Sequence, residues 1–462
     1  MVHVRVMPFD AASSARAVRL RAPEGLGELV RLAWPVVIAR LGIMVMGLTD
    51  SVVVGRYSAL QLAWHALAWA PTNIVLTAGV GLTWGVQVMT ARRWGEGRPE
   101  LTGAVLRRGL VYALAVGLVS AVALELLGGV FLHGIGLAPG LADGAAGPLR
   151  IFCLSLPVYL VACVCTFFLE GLGKPLPGMI AMWLANLVNL AVDLWLVPGR
   201  SGLPVDGAAA AAWATFIARL VLALALLVWI ARLPEARALG LFTRLRGDEA
   251  AAREQIRIGL GSGAATFVEM TAFCGMTFVM GRLGGLQAAA WSIALNVTAI
   301  VFMAPLGVST ATGVLVGRAY GAGDHRGVLR AGLLGLGLTA CVALVVAVLV
   351  FAGSGAIAAA YTTDRALAAL SAGAIALSSA FFIPDGLQVV AAQSLRARGD
   401  VWTPTAFHLA SYALVMLPLG WLLAEPLHLG VAGAVWAVIL ASFLSGGLLT
   451  ARFVGVGRRQ AA

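Results

Sequence analysis

Twelve long apolar segments, separated by short polar stretches, dominate this chain and leave few folds open to it. They run near 27–54, 62–91, 105–127, 149–170, 176–197, 206–231, 257–281, 287–317, 329–352, 370–394, 402–424 and 430–452. A membrane-spanning helix needs about 20 consecutive apolar residues, whereas a spanning strand needs only about ten. Lipid offers no partner to a peptide N–H or C=O, so a spanning segment must satisfy its own backbone. The expected fold is therefore an all-α polytopic membrane protein with twelve transmembrane helices. Composition agrees, since 60% of the 462 residues are hydrophobic and only 11% are charged. A soluble domain carries roughly a quarter charged residues. A soluble enzyme, a disordered chain and a small disulfide-stapled domain are all excluded. The five cysteines (Cys153, Cys163, Cys165, Cys274 and Cys341) sit inside apolar runs without C-x-x-C spacing, and read as small buried hydrophobes.

The charges that remain report topology. Net charge is +11, from 32 basic and 21 acidic residues, but the basic residues lie between apolar segments and form no single compact face. That distribution predicts contact with anionic membrane lipids and not with nucleic acid. The polar N-terminal stretch carries Arg5, Arg16, Arg19 and Arg21 and has no cleavable apolar core before Leu26, so it reads as a tail. With that tail in the cytoplasm, 25 Lys/Arg fall inside and five outside (Arg56, Arg150, Arg200, Arg282 and Arg365), while Arg40 and Arg219 lie within spans. The positive-inside rule then places both termini in the cytoplasm of a cell inner membrane. The expected organisation is a tail (1–25), an N-lobe of six helices (26–231), a basic cytoplasmic linker (232–256), a C-lobe of six helices (257–454) and a short tail (455–462).

The two lobes are a repeat. A shift of 226 residues aligns Val53-x-Gly55-Arg56 with Val279-x-Gly281-Arg282, Leu60-Gln61 with Leu286-Gln287, and Arg92-x-x-Gly95-x-Gly97 with Arg318-x-x-Gly321-x-Gly323. About a third of positions 52–98 are identical to their partners without a gap. Internal repeats of this kind are a mark of transporters. Six spans per repeat preserve orientation, so the lobes should be related by a pseudo-two-fold axis along the membrane normal, with a central cleft between them.

Four carboxylic acids fall well inside spans: Asp50, Asp193, Glu269 and Asp385. A charge at bilayer depth costs at least a few kcal/mol. Such groups must meet a partner, face a wet cavity, or hold a proton or cation. Asn189 precedes Asp193 by four residues and shares its helical face, with Asn186 nearby. Pro384 removes a backbone donor just before Asp385 and frees a carbonyl in the preceding turn, and Gln388 follows Asp385 by one turn. Glu269 shares its lobe with Asn296.

On these residues the sequence resembles the multidrug and toxic compound extrusion (MATE) transporters, and most closely their bacterial NorM-like branch. The first-span LAWPVVIARLGIMVMGLTDSVVVG carries that family's opening proline and its aspartate fifteen residues on. GAATFVEMTAF surrounds Glu269, IALNVTAIVFMAPLGVSTATGVLVGRAYGAGD is close to a family signature, and PDGLQVVAAQSLRARGD contains Asp385. NLVNLAVDLW supplies Asn189 and Asp193, and ATFIARL supplies Thr215. The resemblance implies secondary efflux of small organic, amphipathic cations in exchange for H⁺ or Na⁺ by alternating access, with no cofactor and no enzymatic activity. It implies an N-lobe proton or cation site at Asp50, Asn189, Asp193 and Thr215, and a C-lobe site at Glu269 and Asp385 helped by Asn296. Sodium-coupled relatives often carry a tyrosine four residues before the tenth-span aspartate. Here that place is Phe381, whose ring offers no oxygen, which puts Na⁺ at the C-lobe site in doubt.

Several other residues have two readings. Arg40 and Arg219 would either snorkel or pair structurally, or line the cavity and disfavour strongly cationic cargo. His65 and His408 read as packing residues before proton shuttles. Trp64, Trp69 and Trp84 either pack or form an aromatic wall that attracts cations. The cavity set is therefore Asn296, Gln388, Phe381, Trp64 and Arg40. The rival within transport is a lipid-linked precursor flippase of the same wider superfamily, which would want a basic cavity. An integral membrane transferase is the rival outside it, yet the chain has no loop DxD, H-E-x-x-H or G-x-S-x-G. It also lacks G-x-x-x-x-G-K-[ST], so ATP hydrolysis is not expected. A monomer is expected.

Overall fold

The computed structural model describes residues 22–134, 140–199, 202–243 and 248–461. Arg5, Arg16, Arg19, Arg21, Arg200 and linker residues 244–247 lie outside them. Twelve helices are long and apolar enough to span a bilayer: α1 (Gly25–Tyr57), α2 (Ala59–Gly95), α3 (Pro99–Gly134), α4 (Leu141–Gly171), α5 (Leu176–Leu196), α6 (Gly207–Ala231), α7 (Glu249–Arg282), α8 (Gly285–Gly321), α9 (His325–Tyr361), α10 (Arg365–Ala397), α11 (Trp402–Ala424) and α12 (Gly430–Gln460). Among the described residues there is no strand. Several helices outrun their apolar segments, because a helix can project past the hydrocarbon once its ends are polar. α3 and α9 extend furthest beyond the apolar runs, and α12 continues as helix to Gln460 where a tail was expected.

The outer faces of these helices are apolar and open. Val119, Val122, Leu126 and Val130 on α3, and Val345, Val348, Leu349 and Phe351 on α9, are all more than half exposed. Bands of this size on a water-soluble protein would aggregate; in a bilayer they are the contact with lipid. Cys274 and Cys341 lie on exposed faces, correcting the expectation that all five cysteines are buried, and all five are free.

Helices α1–α6 and α7–α12 form the two lobes. One core fills the first and contains Phe152, Phe167, Phe168 and Leu226; a second fills the other and contains Trp291, Tyr412 and Met416. Linker residues 232–243 fold back on the first lobe, where Gly103 N–H donates to the Leu239 carbonyl at 2.8 Å and the Arg107 guanidinium donates to the Gly240 and Leu241 carbonyls.

The lobes meet along a seam built from α1 against α8 and α2 against α7. These pairs exchange under the 226-residue shift. Gly81 lies on the Gly263 backbone and Gly307 lies on Val37, which are equivalent contacts. A Cβ at Gly95 would overlap the Arg318 carbonyl oxygen, and one at Gly321 would overlap that of Arg92. Small residues let two helix backbones approach this closely. Arg92 crosses the seam, with Nε donating to the Ala397 carbonyl at 2.8 Å, Nη2 to the Arg396 carbonyl at 3.1 Å and Nη1 to Glu254 at 3.3 Å. Arg318, its repeat partner, meets Glu28 at 3.2 Å. All of these groups sit in the first halves of odd-numbered helices or the second halves of even-numbered ones. The seam therefore closes the half of the molecule next to the chain termini.

Three spans are interrupted. α2 breaks at Trp84, between Ala59–Thr83 and Gly85–Gly95. In α10 a 3₁₀ turn, Ser379–Phe381, precedes the segment that starts at Phe382 and carries Pro384. α11 contains a π-helical stretch, Leu409–Met416, just before Pro418, which cannot donate to the turn above it. Irregular helix inside a membrane protein occurs where backbone is shielded by protein or lines a cavity.

Candidate functional site

The N-lobe site begins with Asp50, deep in α1 and 4% exposed. Its two oxygens accept from different helices: Asn189 Nδ2 on α5 donates at 2.9 Å and Thr215 Oγ1 on α6 at 2.6 Å. Asp193 lies one turn beyond Asn189, fully buried, with neither carboxyl oxygen accepting a hydrogen bond among the described residues. The Asp50 carboxyl lies within hydrogen-bonding reach of Asp193, so a single proton held between the two acids would serve both. Asn189 Oδ1 is likewise buried and unpartnered. Beyond the Asp50–Asp193 contact no donor reaches Asp193 or Asn189 Oδ1 among the described residues, and two carboxyl groups share the cluster. A buried ionised carboxylate without a donor costs several kcal/mol, so the cluster calls for a proton or a cation.

Arg219 is near enough to interact electrostatically with Asp50 but makes no ion pair with either acid among the described residues. Arg219, one turn after Thr215, donates from Nη1 to Ser155 Oγ and lies over Tyr159 at 4.7 Å and Trp69 at 5.5 Å. His65 packs edge-on against Phe152, and its Nδ1 makes no hydrogen bond among the described residues.

The C-lobe site is assembled around the irregular turns of α10 and α11. Asp385 Oδ1 accepts from Gln388 Nε2 at 2.8 Å and from Tyr412 Oη at 3.5 Å, while Gln388 Nε2 also reaches Tyr412 Oη. Glu269 on α7 lies 3.8 Å from Nδ1 of His408 and interacts electrostatically with Asp385. Gln388 is thus a partner of the carboxylate. Phe381 is buried against Phe382, and the hydroxyl missing from its position is supplied by Tyr412, 27 residues after Asp385. The π-helical stretch that carries Tyr412 had no clear signal in the sequence.

Of the remaining cavity candidates, Asn296 is exposed, its Nδ2 donating to the Ser292 carbonyl at 3.3 Å. Trp64 is half-buried inside the N-lobe with its ring against Gly144. Trp69 is similarly half-buried against Phe152, and Trp84 stacks edge-on with Phe167 while lying under the Arg396 guanidinium at 5.5 Å. Arg40 is buried and pairs with Glu170 at 3.5 Å beside the Phe167 ring.

Glu170 is a further buried acid, not among the four candidates because it stands at the last position of its apolar segment. The repeat held the signal, since the 226-residue shift places Glu170 opposite Arg396 and Gly173 opposite Gly399. Glu170 Oε2 accepts from Gln87 Nε2 at 2.8 Å, and Gln87 Oε1 accepts from Gln393 Nε2 at 2.9 Å. Arg40, Glu170, Gln87 and Gln393 form one buried chain that crosses the seam between the lobes. No cluster of three or more His, Cys, Asp or Glu side chains suited to a metal ion occurs among the described residues.

Comparison with known proteins places this geometry. A family model described as MatE matches residues 35–195 and 262–422, one match in each lobe. The chain is 53% identical to the probable multidrug resistance protein NorM of Caulobacter vibrioides over 98% of this chain and 97% of that one. It is 32% identical to the multidrug resistance protein PmpM of Pseudomonas aeruginosa, over 90% and 87%. A solved MATE family transporter of the MOP superfamily, described in an outward-facing conformation, is similar in fold, with TM-score 0.86 and 18% identity over 95% of this chain and 96% of the other.

Proposed function

The chain belongs to the MatE family, and from that premise we propose that it is a secondary antiporter that expels small, cationic, amphipathic compounds in exchange for H⁺ or Na⁺. The relatives' multidrug resistance names, over nearly the whole length of both chains, support the substrate class. Both termini face the cytoplasm on the positive-inside count, which makes the closed seam the cytoplasmic gate and the state outward-facing. The observation that carries the reading is Asp193, buried against the Asp50 carboxyl and with no other side-chain partner on either oxygen among the described residues. A coupling ion entering from outside neutralises this pair and lowers the affinity for a cationic substrate. Its release to the cytoplasm restores the charge. Coupling requires only that the two ligands bias the same two-state equilibrium in opposite directions.

We assign the N-lobe role to Asp50, Asn189, Asp193 and Thr215, and the C-lobe role to Glu269, Asp385, Gln388 and Tyr412. A proton suits the N-lobe, because two buried carboxyl groups meet there and one proton between them removes their mutual repulsion. The second reading is Na⁺, favoured by the unpartnered Asn189 Oδ1 beside the two carboxyl groups and by the Tyr412 hydroxyl in the C-lobe. Dye efflux from proteoliposomes under imposed pH or Na⁺ gradients tests the proposal. Efflux should follow one gradient and be abolished by Asp50→Asn together with Asp385→Asn. Efflux indifferent to both gradients, or surviving that double substitution, contradicts it.

A further inference from the structure

A groove of about 710 Å³ opens on the outer face of the N-lobe, between α1, the start of α5 and the end of α6. Its walls are apolar, with Leu176, Val228 and Trp229 each about half exposed. Its rim is basic, formed by Arg31, Lys174 and Arg232. α5 spans 21 residues, roughly 30 Å of helix, which matches the hydrocarbon thickness of a bilayer. Lys174 and Arg232 sit just beyond the α5 start and the α6 end, and so at the level of lipid headgroups. Trp229 stands one turn inside, the depth at which tryptophan rings settle.

The charges of the rim are largely unspent. Lys174 is shared with Glu235 at 3.0 Å, but the guanidiniums of Arg31 and Arg232 make no ion pair or hydrogen bond among the described residues. The groove adjoins the seam: Arg318 of the other lobe lies against its wall residue Gly173, and Glu28, which pairs with Arg318, is one turn from Arg31 on α1. An apolar slot open to the hydrocarbon, ending in two free guanidiniums and an ammonium at the interface, is complementary to one kind of molecule. It must have an acyl chain and an anionic phosphate, and guanidinium forks suit phosphate oxygens. We propose that this groove is a binding site for an anionic phospholipid, with its acyl chain along Leu176, Val228 and Trp229 and its phosphate held by Arg31, Lys174 and Arg232. Basic pockets between helices at the cytoplasmic leaflet bind such headgroups. The inference needs only that the chain is membrane-embedded, and it stands whether or not the antiport reading does.

The test uses full-length protein, delipidated in neutral detergent and titrated with phosphatidylglycerol or phosphatidylcholine of the same chains, with bound lipid counted by native mass spectrometry. Phosphatidylglycerol should bind at least about tenfold more tightly. Arg31→Gln with Arg232→Gln should remove that preference, while Arg458→Gln with Arg459→Gln, on the exposed end of α12, should leave it intact. Both rim arginines are exposed, and the two single variants, each expected to lose part of the preference, replace the double variant if it does not fold. Glycerol phosphate should not compete. Equal binding of the two lipids overturns the proposal, as does equal loss in both double variants, which would mean diffuse surface charge. Effective competition by glycerol phosphate overturns the lipid assignment.

Discussion

The seam makes a quantitative demand at Gly81. A Cβ there would lie 2.8 Å from Gly263 Cα, 3.1 Å from Gly263 N and 3.2 Å from the Ser262 carbonyl oxygen, all backbone atoms of the other lobe. Carbon atoms rest comfortably at about 3.5 Å or more, so Gly81→Ala requires the two helices to part by roughly 0.7 Å. No side chain can move aside to relieve the overlap. Overpacking of this kind costs about 1–3 kcal/mol. The cost falls only on the state in which the seam is closed, so it appears in full as a shift between states of about 5- to 150-fold. Spin labels at Leu60 and Leu286, equivalent and exposed positions at the opposite end of α2 and α8, report the separation of the lobes there. The labels require Ser at the exposed Cys274 and Cys341. Pulsed dipolar spectroscopy should show Gly81→Ala moving population towards shorter distances, as the far end closes when the seam opens, and Gly81→Val moving more. Gly129→Ala, where a Cβ would meet nothing within 4 Å, should do nothing. Unchanged distances in both Gly81 variants would refute the idea that this packing holds the closed gate.

Three further outcomes follow from the buried polar groups. Arg40→Gln leaves Glu170 without its cation and should cost about 3–5 kcal/mol, read as a lower Tm in detergent; adding Glu170→Gln should recover most of the loss. Gln393→Ala strands Gln87 Oε1 at the seam and should cost the closed state about 1–3 kcal/mol, moving the same spin-label distances in the direction of Gly81→Ala. Tyr412→Phe removes a hydroxyl that meets the Asp385 carboxylate at 3.5 Å; losing a donor to the charged form eases its protonation, so H⁺-driven efflux should reach half its maximum at a lower proton concentration, by about tenfold at most.

What the sequence discloses here follows from what lipid enforces. The twelve spans were legible because a bilayer demands long apolar helices, and the two lobes because the 226-residue repeat is visible by eye. Asp50, Asn189 and Asp193 stood out because a carboxylate in an apolar run is costly, and because Asn189 and Asp193 are four residues apart on one helix. Their convergence with Thr215 came from family resemblance, since spacing cannot say which faces of α1, α5 and α6 meet. Tyr412 and Gln393 were invisible for the same reason. Each is an ordinary residue of an apolar segment until a π-helical stretch or a lobe interface brings it to Asp385 or Gln87. Arg40 had two readings in the sequence, and only its partner, Glu170 at the end of another span, separates them.

Coupling, as proposed, is competition between an ion and a cationic substrate for the same buried carboxylates. The direct measurement is the affinity of the purified protein for a fluorescent lipophilic cation such as ethidium, determined as pH and Na⁺ are varied independently. The dissociation constant should rise as pH falls or as Na⁺ is added, by up to about tenfold per pH unit for one competing proton. Asp50→Asn with Asp193→Asn should flatten that dependence. Affinity that is constant across both titrations in the wild-type protein would contradict coupling through these groups.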